Sequence, residues 1–129
     1  MEKDKLYQPT EAELEILQVL WEKGPSTVRD VHDYISKSKD VGYTTTLKLM
    51  QIMAEKNILS RDTSQRQHVY IPTISQEKTQ GIYLKKMLNG LFSGSASRLV
   101  IGALNNHQPS REELQEIKDY LSQFEKPEL

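Results

Sequence analysis

A short stretch of the chain carries the side chains best suited to contact nucleic acid. Two threonine hydroxyls can hydrogen-bond to phosphates or base edges, and their methyl groups can touch a thymine methyl. A lysine one turn later can reach a phosphate or a guanine, and two arginines further on can contact the backbone or the minor groove. The residues predicted to contact DNA are Tyr43, Thr44, Thr45, Lys48, Gln51, Arg61 and Arg66.

The charge of the chain is distributed in a way that fits a local DNA contact. The net formal charge is −1 over 129 residues. Residues 1–40 carry six Lys/Arg and nine Asp/Glu, a net of −3, and residues 72–129 carry seven of each. Residues 41–71 carry four basic and two acidic side chains, a net of +2. The basic excess therefore coincides with the candidate contact residues.

The sequence offers little support for enzymatic catalysis or for a metal site. The chain has no cysteine, which excludes disulfides, thiolate metal sites and cysteine nucleophiles. His32, His68 and His107 fall on a predicted helix, strand and loop, without the spacing of a zinc motif. No nucleophile elbow or phosphate-binding glycine loop occurs. We therefore expect a protein that is not an enzyme and that uses no metal and no cofactor.

The sequence also predicts where the protein works. No apolar run approaches the roughly 20 residues of a membrane span. The first ten residues lack the apolar core of a signal peptide. We therefore expect a soluble, cytoplasmic protein with no membrane partner.

Start and stop signals predict three helices in the first half of the chain. Thr10 and Glu13 have the spacing of a capping box, and Gly24-Pro25 ends the helix that follows. Either Ser26 or Thr27 can cap the second helix. One of residues 44–46 can cap the third, which runs to about Lys56 with Asn57 as a left-handed cap. The side chains predicted to face inward are Leu14, Leu17, Leu20, Trp21, Val28, Val31, Ile35, Leu49, Met50 and Met53.

Two short strands follow the third helix. Residues 58–61 and 68–71 are extended in pattern, and the polar residues 62–65 between them are typical of a turn. The predicted order is helix, short strand, helix, turn, helix and hairpin. This order is that of a winged helix-turn-helix, which we assign to residues 6–74.

The pattern changes to helices alone in residues 75–126. Apolar side chains at positions 114, 117, 121 and 124 alternate by three and four, a narrow seam suited to pairing with another helix. The fold class is therefore mainly α with a small β-hairpin, a winged helix-turn-helix domain followed by an all-helical dimerisation region. The residues predicted to form the dimer are Leu84, Met87, Leu88, Leu91, Leu99, Leu114, Ile117, Leu121 and Phe124. The alternative is that these helices wrap the winged domain as an intramolecular core.

Each candidate DNA contact also has a plainer interpretation. The threonines at 44–46 can serve as a helix cap alone, and Lys48 can be an ordinary solvated lysine. Arg61 and Arg66 can simply protect the edge of a hairpin from pairing with another chain. Some winged helices bind proteins without binding DNA, so a protein-interaction module is the alternative function. The coincidence of these residues on one face of one fold favours DNA.

The chain resembles the BlaI/MecI/CopY family of bacterial repressors, of the penicillinase-repressor type, over nearly its full length. The matching stretches are residues 10–17 (TEAELEIL), 20–28 (LWEKGPSTV), 43–48 (YTTTLK), 53–59 (MAEKNIL) and 69–72 (VYIP). The tryptophan-glycine-proline stretch combined with the tyrosine-threonine stretch is the more specific part of the match. The C-terminal helices match the family more in the arrangement of their helices than in residue identity.

The resemblance implies a homodimeric transcriptional repressor whose two winged domains occupy a dyad-symmetric DNA operator. Thr44, Thr45 and Lys48 stand at the family's recognition-helix positions. The resemblance further implies a membrane sensor-protease as a partner, which releases such repressors by cutting within the dimerisation helices.

The chain departs from the family pattern in three respects. Gly102-Ala103 aligns with the Asn-Phe bond that is cut in the penicillinase branch, so the sequence leaves open whether proteolysis or another signal releases this chain. The copper-responsive branch uses C-terminal cysteines, which this chain lacks, and a thiolate copper switch is therefore excluded. Asn57 replaces the glycine that usually follows the third helix, a conservative change for a left-handed cap.

Overall fold

The computed structural model describes residues 7–125 of the chain. The predicted domain limits at Leu6 and Lys126 lie outside this range. The elements are α1 (Glu11–Lys23), α2 (Val28–Ile35), α3 (Tyr43–Glu55), β1 (Leu59–Asp62), β2 (Val69–Pro72), α4 (Gln76–Gly90), α5 (Ala96–Asn106) and α6 (Arg111–Ser122). The predicted fold class, mainly α with a small β-hairpin, is confirmed. None of the helices in the described range is long and apolar enough to span a membrane.

The first two helices begin at reciprocal side-chain caps. The Thr10 hydroxyl accepts from the Glu13 amide at 3.2 Å, and a Glu13 carboxylate oxygen accepts from the Thr10 amide at 3.0 Å. Thr27 and Asp30 repeat this arrangement at the start of α2. Each capping box satisfies two backbone donors that a helix start leaves open. The predicted capping box at Thr10 is confirmed, and Thr27 is the cap of α2.

The predicted cap of α3 was wrong. The N-cap is Gly42, with extended backbone angles (φ −79°, ψ 154°) and no side-chain cap, and the threonines lie inside the first turn. Thr46 is 3% exposed and stands on the same helix face as the fully buried Met50 and Met53. A cap at Thr46 would hold that residue in extended backbone and remove it from the inward face. A cap at Thr44 or Thr45 would leave Tyr43, the first residue of α3, outside the helix. Packing of Thr46 therefore requires the helix to begin before this residue.

The core of the winged domain lies between the three helices and the hairpin. Ile16 and Val19 are buried, whereas the predicted Leu14 and Trp21 are only half-buried. The inward face of α1 is therefore rotated from the predicted one. The buried apolar side chains are Ile16, Leu17, Val19, Leu20, Val28, Val31, Ile35, Met50, Met53, Ile58, Leu59 and Tyr70.

The hairpin joins α3 through a left-handed residue, as predicted. Asn57 has φ 64°, which lets the chain leave the helix and enter β1. The strands pair antiparallel with Leu59 opposite Pro72 and Arg61 opposite Tyr70. Each strand begins one residue later than predicted. In β1 the reason is that the Ile58 amide still donates to a helical carbonyl, that of Met53, at 2.9 Å.

Ser26 adds a third short extended segment beside the hairpin. It exchanges two backbone hydrogen bonds with Tyr70, at 2.8 and 3.2 Å. This pairing places the start of α2 beside the second strand of the wing. The predicted short strand before α2 is present as this single bridge.

The chain forms two compact units, and the division falls inside α4. The described residues of the first unit are 7–84 and those of the second are 85–125. In the first unit the Trp21 indole donates to the Ile74 carbonyl at 3.0 Å, and the Tyr83 hydroxyl donates to the Pro9 carbonyl. Thr79 is buried there as well. The start of α4 thus packs with the winged helix, beyond Ile74.

The second unit consists of the end of α4 with α5 and α6. Ser95 and Ser110 cap α5 and α6 by accepting from the amides three residues later. Gly102 faces the Phe92 ring, which lies 3.6 Å from where a Cβ would stand. No residue of α5 or α6 is buried, so the apolar side chains of these helices remain partly or largely exposed to solvent.

Glu13 also links the start of α1 to the end of α3. Its second carboxylate oxygen accepts from the Lys56 ammonium at 2.9 Å, and its first accepts from the Tyr7 hydroxyl. The Glu13 side chain is 2% exposed, and that of Lys56 is 45% exposed. Burial raises the pKa of Glu13, but hydrogen bonds from Tyr7, Thr10 and Lys56 outweigh it and lower the pKa overall.

We expect Glu13→Gln to lower the free energy of unfolding by about 1–2 kcal/mol near neutral pH. A depressed pKa in the folded state stabilises the fold above the ordinary pKa of 4.5, and this contribution is lost as the pH falls through the folded pKa. The difference between the two proteins should therefore shrink below pH 4.5 in urea unfolding followed by circular dichroism.

Glu15→Gln is the matched control on the same helix. Glu15 pairs with Lys39 at 3.0 Å, but the two side chains are 41% and 55% exposed, so its loss should cost less than about 0.5 kcal/mol. Equal effects of the two substitutions, or a Glu13 effect independent of pH, would contradict the assigned role.

Candidate nucleic-acid interface

α3 presents a polar face to solvent and an apolar face to the core. Thr46, Met50 and Met53 point inward. Tyr43 is 37% exposed. The other predicted contacts on this helix are all exposed: Thr44, Thr45, Lys48 and Gln51. The helix is therefore held by its buried face while the opposite face is free to enter a major groove.

The N-terminal end of α3 is open to an anion. Gly42 supplies no side-chain cap, and the first turn contains no acidic residue. Because glycine has no side chain, no N-cap oxygen accepts from the amides of this turn. The helix dipole adds positive electrostatic potential at the same end. α1 and α2 differ in both respects, since each has a capping box and a carboxylate in its first turn.

A groove of about 230 Å³ connects α3 to the wing and to the start of α2. It brings together three of the predicted contacts, Tyr43, Gln51 and Arg66. The lining residues are Thr27, Val28, Arg29, Tyr43, Leu47, Gln51, Arg66, Gln67, His68 and Tyr70. Two arginines and no carboxylate belong to this lining, so the groove has positive electrostatic character.

The other predicted contacts lie outside this groove. Thr44, Thr45 and Lys48 are not among its lining residues, although they belong to the same helix. Arg61 is exposed on β1, opposite Tyr70 in the hairpin. The predicted set thus divides into an exposed part of α3, a groove part and Arg61 on the first strand.

The turn of the wing is held by Asp62. Its carboxylate accepts from the Ser64 amide at 3.0 Å, the arrangement of an Asx turn. Hydrogen bonds from the Ser64 amide, and then from its hydroxyl, lower the pKa of Asp62. The predicted turn at residues 62–65 is confirmed, and it precedes Arg66 and the groove-lining Gln67 and His68.

α2 also contributes side chains to the site, although none of its residues is among the predicted contacts. Arg29 lies over the Tyr43 ring, with its Cζ 4.6 Å from the ring centroid. The His32 ring meets the same tyrosine edge-on at 5.6 Å, and its Nδ1 is 3.4 Å from the Thr46 hydroxyl. The sequence feature that could have indicated this contribution is Arg29, a basic residue in the first turn of α2 after the Thr27 cap. Because residues 1–40 have a net negative charge, Arg29 was not counted among the candidate DNA contacts.

Among residues 7–125 no cluster of three His, Asp or Glu side chains is arranged to hold a metal ion. The predicted contact residues lie instead in the groove, on the exposed face of α3 and on β1. The hydrogen-bond donors there are hydroxyl, amide, ammonium and guanidinium groups, which are the groups that contact nucleic-acid phosphates and base edges.

The profile of the penicillinase repressor family matches residues 9–123. The chain belongs to the penicillinase repressor family. Its members are transcriptional repressors and not enzymes, which confirms the predicted family and the prediction of a DNA-binding repressor without enzymatic activity.

Several named members of the penicillinase repressor family are similar to the chain. The penicillinase repressor of Bacillus licheniformis is 26% identical over 119 residues, which cover 92% of this chain and 93% of that protein. The transcriptional regulator BlaI of Mycobacterium tuberculosis is 28% identical over 99 residues, covering 75% and 72%. The methicillin resistance regulatory protein MecI of Staphylococcus aureus is 20% identical over 119 residues, covering 92% and 97%.

The fold of this penicillinase repressor family member is also similar to that of a MarR family protein from Bacillus stearothermophilus. The TM-score is 0.54 at 18% sequence identity, and the match covers 92% of this chain and 74% of that one. At this identity the likeness shows the fold alone, and it confirms the winged helix-turn-helix.

We expect Gly42→Asp to stabilise the fold by a few tenths of a kcal/mol and to weaken DNA binding. Aspartate caps a helix better than glycine, and no atom lies within 4 Å of the added Cβ. Its negative charge, however, would lie at the end of α3, where the amides and the helix dipole favour a phosphate. Thermal melting and fluorescence anisotropy with a DNA duplex measure the two effects.

Gly42→Asn is the matched control, because asparagine caps equally well without a charge. It should stabilise the fold by a similar amount and weaken binding less than Gly42→Asp. Equal DNA affinities of the two variants at low salt would show that no phosphate approaches this helix end.

Proposed function

We propose that this repressor binds a dyad-symmetric DNA operator as a homodimer, with α3 of each chain in the major groove. The observation that supports this most directly is the groove shared by α2, α3 and the wing. It holds two arginines and no carboxylate beside the exposed helix face. Side chains from three elements can thus contact the DNA backbone while α3 contacts bases.

The proposed roles follow from exposure and position. Thr44, Thr45 and Lys48 contact base edges or nearby phosphates, since they lie in the exposed first turns of α3. Arg66 contacts the backbone or the minor groove from the wing, and Arg61 adds a phosphate contact from β1. Gln51 lies one turn beyond Lys48 on α3 and also lines the protein groove. From this position its side-chain amide contacts a base edge in the major groove of the DNA.

The homodimer is proposed from the exposed apolar side chains of the second unit. Leu91 is 76% exposed and Phe124 is 72% exposed. Burying such side chains against a second chain gains roughly 25 cal/mol for each Å² removed from water. Two linked half-site readers also bind a symmetric operator more tightly than one. The proposed dimer residues that are exposed in the single chain are Leu84, Met87, Leu91, Leu114, Leu121 and Phe124.

Release from DNA is proposed to act through the same helices. Cleavage by a sensor protease is one route and another signal is the alternative; the position that aligns with the family's cut is Gly102-Ala103, which departs from the Asn-Phe pattern. Both residues lie within α5, and Gly102 packs near Phe92. A protease needs extended backbone, so this route requires α5 to open locally before the cut.

We expect Lys48→Ala to weaken binding to the operator roughly fivefold or more, about 1 kcal/mol, because Lys48 lies one turn into the exposed face of α3. The operator would be located first by footprinting the protein on the promoter of its own gene. Lys118→Ala, an exposed lysine of α6, is the control and should bind as wild type. Operator binding unchanged by Lys48→Ala would reject this role.

A double substitution of Leu121→Ser and Phe124→Ser tests the dimer. Both side chains are exposed in the single chain, so the substitutions should leave the winged unit folded, shift sedimentation from dimer to monomer and lower operator affinity. Gln115→Ser on the same helix should change none of these. A double variant that sediments as wild type would place the dimer contacts elsewhere.

A further inference from the structure

Arg29 extends from the first turn of α2 over α3. Its guanidinium lies within cation–π distance of the Tyr43 ring. Asp33 follows four residues later on the same helix, a spacing that favours an ion pair. Within residues 7–125, however, Arg29 has neither an ion pair nor a side-chain hydrogen bond. Its charge and its five donors are therefore available to a group outside the chain.

The nearby carboxylates are engaged elsewhere. Asp30 caps the start of α2 by accepting from the Thr27 amide at 3.3 Å. Asp30 and Asp33 both line a separate groove between the end of α1 and α2, which also contains Lys23 and Lys37. The groove that contains Arg29 is lined by no carboxylate. An anion that enters it meets Arg29 and Arg66 without an acidic competitor.

Two side chains of α2 contact the Tyr43 ring. Arg29 covers one face, and the His32 ring approaches its edge at an interplanar angle of 83°. The Tyr43 hydroxyl has no hydrogen-bond partner in the described part of the chain. The ring is thus engaged with α2, and it can act as a platform that fixes the position of the guanidinium.

We propose that Arg29 is a DNA-backbone contact and that Tyr43 is its positioning residue. The ring holds the guanidinium at the groove between α2, α3 and the wing, where a phosphodiester of DNA joins Arg29 to Arg66. A guanidinium fixed on an aromatic face can donate two parallel hydrogen bonds to one phosphate. This inference rests on the proposed function and gives Tyr43 a role other than reading a base.

The test is the salt dependence of binding to a mixed-sequence DNA duplex, measured by fluorescence anisotropy on the full chain. Each lost phosphate contact lowers the slope of log K against log salt by about 0.9. Arg29→Ala should show this loss for each bound chain. Tyr43→Leu should show the same loss, the two substitutions combined should show no more, and Tyr43→Phe should retain the wild-type slope.

Lys37→Ala is the matched control. It removes one exposed cation that lies over another ring, that of Tyr34 at 5.6 Å, in the separate groove, so the slope should stay that of wild type. Melting temperatures check folding; Arg29 is exposed, so its variant should fold even if Tyr43→Leu does not.

The outcomes separate this inference from the proposed function. An Arg29→Ala slope equal to that of Lys37→Ala would overturn the phosphate contact. A Tyr43→Leu protein that folds and keeps the wild-type slope would overturn the positioning role. Failure of the wild-type protein to bind any duplex would instead reject DNA binding itself.

Discussion

The arrangement of the winged unit depends on the burial of one face of α3. Thr46, Met50 and Met53 are each no more than 3% exposed, and the two methionines share one core with Tyr70 and the buried apolar residues of α1 and α2. A helix with one face held in this way must present its other face to solvent. The exposure of Thr44, Lys48 and Gln51 is therefore a consequence of core packing, and no other interaction is required to hold these side chains at the surface.

Electrostatics distinguish the two ends of this helix. At the C-terminal end, Lys56 pairs with the buried Glu13, and contacts with Glu13 and then Tyr7 raise the pKa of Lys56. At the N-terminal end, there is no side-chain cap, and the first turn contains no carboxylate. The acidic side chains of α2 are kept in a groove that excludes Arg29. Although the whole chain is slightly acidic, a positively charged region remains where α2, α3 and the wing converge.

The sequence predicted the elements well because their signals are local. The Thr10 capping box, the left-handed Asn57 and the turn at Asp62 each depend on a few adjacent residues, and all were confirmed. The start of α3 was misplaced because threonine is a good cap in isolation, whereas here all three threonines lie inside the helix and Thr46 is buried in the core. Local propensity was overridden by tertiary packing.

The candidate site was only partly predictable, because some of its features are local in sequence and others depend on contacts between helices. The exposed residues of α3 follow from helical spacing, which is local. The contact of Arg29 with Tyr43 joins two helices, and segment charge gave no hint of it, because Arg29 lies in an acidic part of the sequence. The second unit has strong apolar stripes but no buried residue in α5 or α6, so its sequence pattern indicates a partner without identifying the contacts.

We propose that the α2–α3–wing surface is the DNA-binding surface of this repressor. The most direct test of this proposal is the change in backbone amide NMR shifts when promoter DNA is titrated into the isotope-labelled protein. We expect the largest changes in the first turns of α2 and α3 and around Arg66 in the wing. Changes confined to α5 and α6, with those three segments unaffected, would contradict it.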